Sequence, residues 1–382
     1  MKKLGVFLIG LVFLLNNSLS QEKKPFSLNG YITSMQSVIF DSLRGSFSND
    51  NLIHNRLNFR LYPTKHLTLA MEMRNRIFWG DMIRSNSSYA ESIGSDAGWI
   101  DMSWNIISEK SFLINSTIDR FWLDLNYDKI QVRIGRQRIN WGQTLVWNPN
   151  DLFNAYSFFD FDYVERPGSD AIRFQYFPGF TSTLDIAFKT DNNNNVTAAA
   201  LYRFNKWGYD IQFIGGYFNS SDIVAGAGWS GSIGSFSFRG EGTWFQPSGK
   251  ADDTTATGLF TIGFDRIFKN SSMAQIQLMY CNNPLKLTDF DSFYSGNLSS
   301  RDLAFSRFTA FGQVTLTINP LLKISLSAMW FPDLKGYFAG PSLDYSLAEN
   351  TDFSLIWQHF NSNMGDEKLR INLGFLRLKY SF

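Results

Sequence analysis

Seven arginines fall on one side of five alternating segments in the first half of the chain. They are Arg56 and Arg60 in 51–63, Arg74 and Arg76 in 67–80, Arg120 in 117–128, Arg133 in 130–141, and Arg173 in 170–179. Residues two apart share a face of a strand. Each arginine therefore lies opposite an apolar set, such as Leu57, Phe59 and Leu61, or Phe121, Leu123 and Leu125. Two carboxylates, Glu72 and Asp124, join the arginines on the polar side. A guanidinium keeps its charge and grips carboxylate or phosphate through a planar fork. A wall of this kind suits anion recognition. The alternative is a network of ion pairs that only braces neighbouring strands.

The segment after Gly135 carries the acids that such a wall would face. If the alternation held through Gly135, Arg136 and Arg138 would leave the polar side, and a bulge there would return them to it. The following connection, 142–169, holds Asp151, Asp160, Asp162 and Glu165 among Phe and Tyr residues. Long ordered loops are usually functional. This one is expected to fold inward and oppose acid to base across a constriction. The alternative is an outward cap. Trp122, Trp141, Trp147 and Tyr163 offer a stacking path for aromatic groups.

Other chemistry finds little support. The three histidines, His54, His66 and His359, have no positioned nucleophile partner. No Gly-x-Ser-x-Gly elbow precedes a helix, and no Cys/His cluster has metal spacing. An enzyme, a cofactor and a bound metal are therefore not expected. Removing Lys2 and Lys3 from the 35 basic residues, against 34 acidic ones, leaves the chain near neutral. Nothing in that balance calls for nucleic acid.

The elements that must position these residues are strands. Residues 1–20 read as a secretory signal peptide: Lys2 and Lys3, an apolar run from Leu4 to Leu15, then Ser18 and Ser20 before a cut at Gln21. Beyond it no apolar run approaches the ~20 residues of a membrane helix. Aromatics make up 16% of the residues, and the single Cys281 cannot form an internal disulfide. An exported, aromatic-rich chain of alternating strands points to an outer-membrane β-barrel, with a secreted β-sandwich or propeller as runner-up. The pattern gives 18 strands, with 16 as the alternative: 27–40, 51–63, 67–80, 117–128, 130–141, 170–179, 180–190, 195–204, 208–219, 222–231, 234–246, 254–268, 271–282, 306–319, 321–332, 336–348, 351–362 and 369–382. The long connections 81–116, 142–169 and 283–305 all follow odd-numbered strands, so all leave from the same end. That parity suits an antiparallel up-and-down barrel with short periplasmic turns. The expected organisation is one barrel domain, 21–382, with no plug domain.

Leu376, Leu378, Tyr380 and Phe382 alternate along the last strand. They resemble the C-terminal signature of bacterial outer-membrane proteins, which implies recognition by the barrel-assembly machinery. A second resemblance covers about 40 residues: Gly135-Arg136-Gln137, Trp141-Gly142, Asn148-Pro149-Asn150-Asp151, and Glu165 to Ala171. This segment is similar to that of a poorly characterised family of Gram-negative outer-membrane barrel proteins. The resemblance implies a porin-like barrel without a defined substrate.

The resulting expectation is an outer-membrane channel for small hydrophilic solutes, with a preference for anions or acidic compounds. A substrate-selective channel is one alternative. A non-conducting adhesion or assembly barrel, with 81–116 and 283–305 as its binding surface, is another. Outer-membrane lipid is an expected partner, and a homo-oligomer is left open.

Overall fold

The computed structural model describes residues 25–42, 45–156, 158–159, 165–249, 255–286, 299–364 and 367–382. The expected signal peptide lies outside them. The chain forms β1 (Phe26–Phe40), β2 (Phe47–Thr64), β3 (Leu67–Gly80), β4 (Ser103–Glu109), β5 (Phe112–Tyr127), β6 (Ile130–Gln137), β7 (Ser169–Gly179), β8 (Ser182–Thr190), β9 (Val196–Lys206), β10 (Tyr209–Phe218), β11 (Asp222–Ile233), β12 (Phe236–Pro247), β13 (Thr257–Ile267), β14 (Met273–Cys281), β15 (Phe308–Asn319), β16 (Leu322–Phe331), β17 (Gly336–Ala348), β18 (Thr351–Met364) and β19 (Glu367–Ser381). All pair antiparallel, and β19 pairs with β1 from Tyr31↔Ser381 to Phe40↔Asn372. Phe382 extends that ladder, donating its N–H to the Gly30 carbonyl at 2.9 Å and accepting from the Gly30 N–H at 3.0 Å. Closure pairs the first strand with the last, as a lipid environment requires of a barrel.

Eighteen strands circle the barrel, as the alternation predicts, but β4 was not foreseen. One edge of β5 pairs with β3 along its length. The other pairs with β6 over Phe121–Tyr127 and with β4 over Phe112–Thr117. β4 thus fills the place above β6, which stops at Gln137 rather than at the expected residue 141. Residues 97 and 98 bridge to Asp191 and Asn192 beyond β8 and complete this patch of wall.

The outward face is apolar and exposed, including Phe121, Ile134, Ile172, Phe213, Ile276 and Leu326. In water such a band would be unfavourable by roughly 1.5–3 kcal/mol for each large side chain. Against hydrocarbon that cost disappears. Leu376, Leu378, Tyr380 and Phe382 belong to this band. Tyr62, Tyr127, Phe180, Trp207 and Phe268 ring the end with the short turns, where amphipathic rings meet headgroups. At one of these turns Trp207 and Gly208 both adopt positive φ, 55° and 78°. That conformation suits the right-handed twist of a two-residue hairpin.

Each of the three long connections sends described residues inward. Two short helices, Asp81–Ser85 and Tyr89–Gly94, bring Ile83, Tyr89, Ala90 and Ile93 against Leu52, Phe78 and Leu113 on the inner wall. Leu303, Ala304 and Phe305 join a second, larger apolar cluster on the opposite side.

Candidate functional site

The connection between β6 and β7 crosses the barrel interior, as its aromatic content suggests. Its central residues are buried, Ile139, Trp141, Leu152 and Phe153 among them. The far wall holds it by side chains that point inward from every second strand. Gln212 on β10 donates to the Trp141 carbonyl at 2.7 Å. Glu241 on β12 accepts the backbone N–H groups of Gln143, Thr144 and Asn150. Gln277 on β14 accepts from Val146 N–H at 3.0 Å and donates to the Trp147 carbonyl at 3.1 Å. Beyond these, Phe158 and Phe159 pack edge-to-face on Phe311, Phe338 and Phe360. Trp141 donates its indole N–H to Asp185 at 3.0 Å, and Trp147 packs on Phe311. The two tryptophans therefore build the loop's packing rather than a stacking path. Tyr163 lies outside the described residues.

What remains open on the near wall is a cavity of about 380 Å³ lined by Arg56, Asn58, Arg60, Glu72, Arg120, Trp122, Arg133, Arg138 and Glu165. Among the described residues, five guanidiniums face two carboxylates in it. The elements place them simply. β2 supplies Arg56, Asn58 and Arg60, β3 supplies Glu72, β5 supplies Arg120 and Trp122, and β6 supplies Arg133. Arg138 and Glu165 come from the two feet of the inward loop.

Arg56 is fully buried and bonds Glu72 at 2.7 Å and Asp119, with Glu165 at 3.9 Å. Glu72 also lies 3.6 Å from Arg60, whose side chain is half exposed. Arg133 pairs with Asp124 at 2.8 Å and lies 4.2 Å over the Trp122 ring. Arg120 donates to the backbone carbonyls of Glu165 and Arg166 at 2.7 and 2.6 Å. The Glu165 carboxylate accepts from the Tyr31 hydroxyl at 3.0 Å.

Asp119 was missed because the alternation breaks beside it. The β3–β5 register slips between Glu72 and Met73, so Asp119 and Arg120 are both buried. The spacing of outward Ile118 and Phe121, three rather than two, is the sequence mark of that slip. Tyr31 and Asp185 were also missed, though both lie at inward positions of their strands.

Other expected residues sit elsewhere. Arg74 lies 3.8 Å from Asp119, and Arg76 bonds Asn115 and the Ile93 carbonyl beneath the short helices. Arg173 grips Asp185 with Nη2 at 2.5 Å. Arg136 stays outside the cavity, because β6 pairs through Gly135 with no slip in register. It binds Asp96 at 2.6 Å, Asp170 at 2.7 Å and the Ile100 carbonyl at 2.6 Å, clamping the wall patch above β6. Gly135, at φ 114°, brings its backbone so near Phe121 that a Cβ would meet that carbonyl at 2.2 Å. Arg138, past the strand's end, does reach the cavity.

The expected opposition of acid and base is present only at Glu165 among the described residues. Asp160 and Asp162 lie outside them. Asp151 is buried within the loop's packing, where it accepts from Trp141 N–H at 3.3 Å. Burial pushes its carboxyl up to about 8, and the Arg138 cation opposes that rise.

Solved structures share the architecture. The outer membrane protein OprD from Pseudomonas aeruginosa matches with a TM-score of 0.60 at 7% identity, covering 94% of this chain and 93% of that one. Acinetobacter baumannii OccAB2 matches at 0.59 and 10% identity over 93% and 98%. Pseudomonas aeruginosa OccK11 (OpdR) matches at 0.57 and 10% over 94% and 95%. At such identities the likeness is one of fold: a closed, porin-like barrel of 18 strands. Among curated proteins none matches the sequence. A family model described as a protein of unknown function, DUF1302, matches residues 118–360, from within β5 into β18, and the chain belongs to that family.

Proposed function

We propose that this protein is an outer-membrane channel selective for small organic acids, with the basic cavity as its binding station. The observation that carries the reading is the lining: among the described residues, five arginines against two glutamates in about 380 Å³ of open space on the inner wall. That volume is at the small end of ligand sites and equals roughly a dozen waters at ~30 Å³ each. A solute of that size can meet several lining groups at once, which favours selectivity over free diffusion. Arg60, Arg133 and Arg138 present guanidinium groups to the space. Two unit charges ~4 Å apart attract by roughly 4 kcal/mol at an effective dielectric of ~20, against ~1 in bulk water. Trp122 adds a flat apolar face, so an acid with an aromatic body suits the site as well as an aliphatic one.

A wall-bracing role fits other arginines, Arg136 and Arg173 above all, since their carboxylate partners hold them outside the cavity. Arg60, Arg133 and Arg138 differ in lining the open space. Planar-bilayer recording at low salt tests the reading. Anion-biased current, reduced by succinate or benzoate added to the bath, supports it. A silent barrel, or current indifferent to both acids, overturns it.

A further inference from the structure

Glu165 has the same functional group as the solutes proposed above, and it sits at the edge of the site that would take them. Its Oε2 accepts from Tyr31 at 3.0 Å, and its Oε1 lies 3.9 Å from Arg56 Nε. Three carboxylates share Arg56, but they are not equivalent. Glu72 and Asp119 belong to wall strands and approach at hydrogen-bond distance, while Glu165 belongs to the loop and makes the longest contact. About a quarter of its side chain is exposed, and it lines the cavity.

The backbone around Glu165 is pinned independently of its carboxylate. Arg120 holds the carbonyls of Glu165 and Arg166, and Asn154 donates to the Pro167 carbonyl at 2.9 Å. Gly168 lies so close to the wall that a Cβ would meet the Asp119 carbonyl at 2.6 Å. The side chain can therefore leave its place by a rotamer change while the loop foot stays fixed.

We infer that Glu165 is a resident stand-in for the solute's carboxylate: an entering organic acid displaces it from Tyr31 and Arg56 and takes its place. The inference rests on the reading of the cavity as an acid-binding station. It adds that the empty site is occupied by the protein's own carboxylate. Occupation lowers the net positive charge of the vacant site and rejects weak anions that cannot compete. A tethered competitor acts at an effective concentration in the millimolar range or above. It therefore sets a threshold for solute binding.

The experiment compares succinate block of wild type, Glu165→Gln and Tyr31→Phe in planar bilayers. Glu165→Gln keeps size and hydrogen-bonding capacity but removes the competing charge. It should tighten succinate binding by about tenfold or more, as expected for loss of a tethered competitor. Tyr31→Phe removes the same hydrogen bond from competitor and solute alike and should change succinate binding far less than Glu165→Gln does. Heat-modifiable gel migration verifies that each variant keeps its barrel. Unchanged or weaker succinate binding in a folded Glu165→Gln channel overturns the inference. Arg60→Gln/Arg133→Gln separates the two levels. If that pair abolishes succinate block while Glu165→Gln leaves it unaltered, the acid-binding station stands and the stand-in falls. If succinate acts on no variant, both fall.

Discussion

The two halves of the inner wall do opposite things with similar strands. From β2 to β6 the inward positions are mostly charged and polar, and open space remains between them. From β12 to β18 they are polar toward the short turns, as at Gln275, Gln313 and Ser325. Toward the other end they are apolar, as at Phe245, Met279, Phe311, Met329, Phe338 and Phe360. The apolar surface is filled by the inward loop, whose aromatics gain burial there. Charged surface cannot be covered so cheaply, since each guanidinium removed from water needs a partner. The asymmetry thus decides where the loop docks and, by exclusion, where a cavity persists. On the proposed reading, position and selectivity come from different walls.

The largest expected effect lies on the docking wall. Glu241 satisfies three loop N–H groups and Gln277 satisfies one, as well as a carbonyl. Each buried donor left without an acceptor costs about 1–3 kcal/mol. Glu241→Ala/Gln277→Ala should free the loop from the far wall and raise single-channel conductance severalfold. Unchanged conductance would mean that the apolar contacts alone hold the loop.

A charge change sharpens the contrast next. Arg60→Gln/Arg133→Gln removes two cavity cations and should move the reversal potential toward cations at low salt, less so at high salt. Arg239→Gln on the far wall removes a guanidinium paired with Asp265 at 2.9 Å. It should leave selectivity nearly unmoved. Equal shifts from both walls would end the claim that selectivity belongs to one.

Protonation separates the halves more gently. Burial in the docked loop pushes the Asp151 carboxyl up to about 8 from its ordinary value of 3.8. The docked state then binds more protons than the undocked one between those values. Docking is therefore strongest at low pH, weakens as pH rises from about 4 to 8, and is weakest above 8. Open-channel noise and loop cleavage by protease should grow over that window. Asp151→Asn should reduce that dependence on pH. A wild type already flat from pH 4 to 9 would place Asp151 outside the control of docking.

Much of this was legible in the sequence, for physical reasons that also explain the misses. Strict alternation located all 18 circling strands, because one face must meet lipid. It placed Arg56, Arg60, Arg120 and Arg133 on the inner face, where the cavity forms. It failed where pairing rather than patterning decides. β4 is short, and β6 leaves room for it only because that strand ends early. Asp119 enters through a register slip, and Arg136 stays in the wall because the slip expected at Gly135 is absent. The apolar inner face was readable too: in the run from Gln275 to Cys281, Met279 and Cys281 continue the inward series of Gln275 and Gln277. Two apolar faces at one end of a strand announce that something packs inside.

The smallest effect concerns Trp122, the one aromatic face that the described residues give the basic cavity. Arg133 lies 4.2 Å over its ring while also bonding Asp124. The ring therefore fixes the height of a guanidinium that the solute would meet. A cation–π contact of this kind contributes about 0.5–1 kcal/mol at a solvent-facing site. Trp122→Phe keeps a smaller ring and should weaken benzoate and succinate block alike, by about two- to fivefold, since 1.4 kcal/mol corresponds to tenfold. Trp122→Ala also removes the surface on which an aromatic body would lie. Its loss should be greater for benzoate than for succinate. Equal losses for the two acids would mean that Trp122 serves only to hold Arg133, and that the near wall reads charge without reading shape.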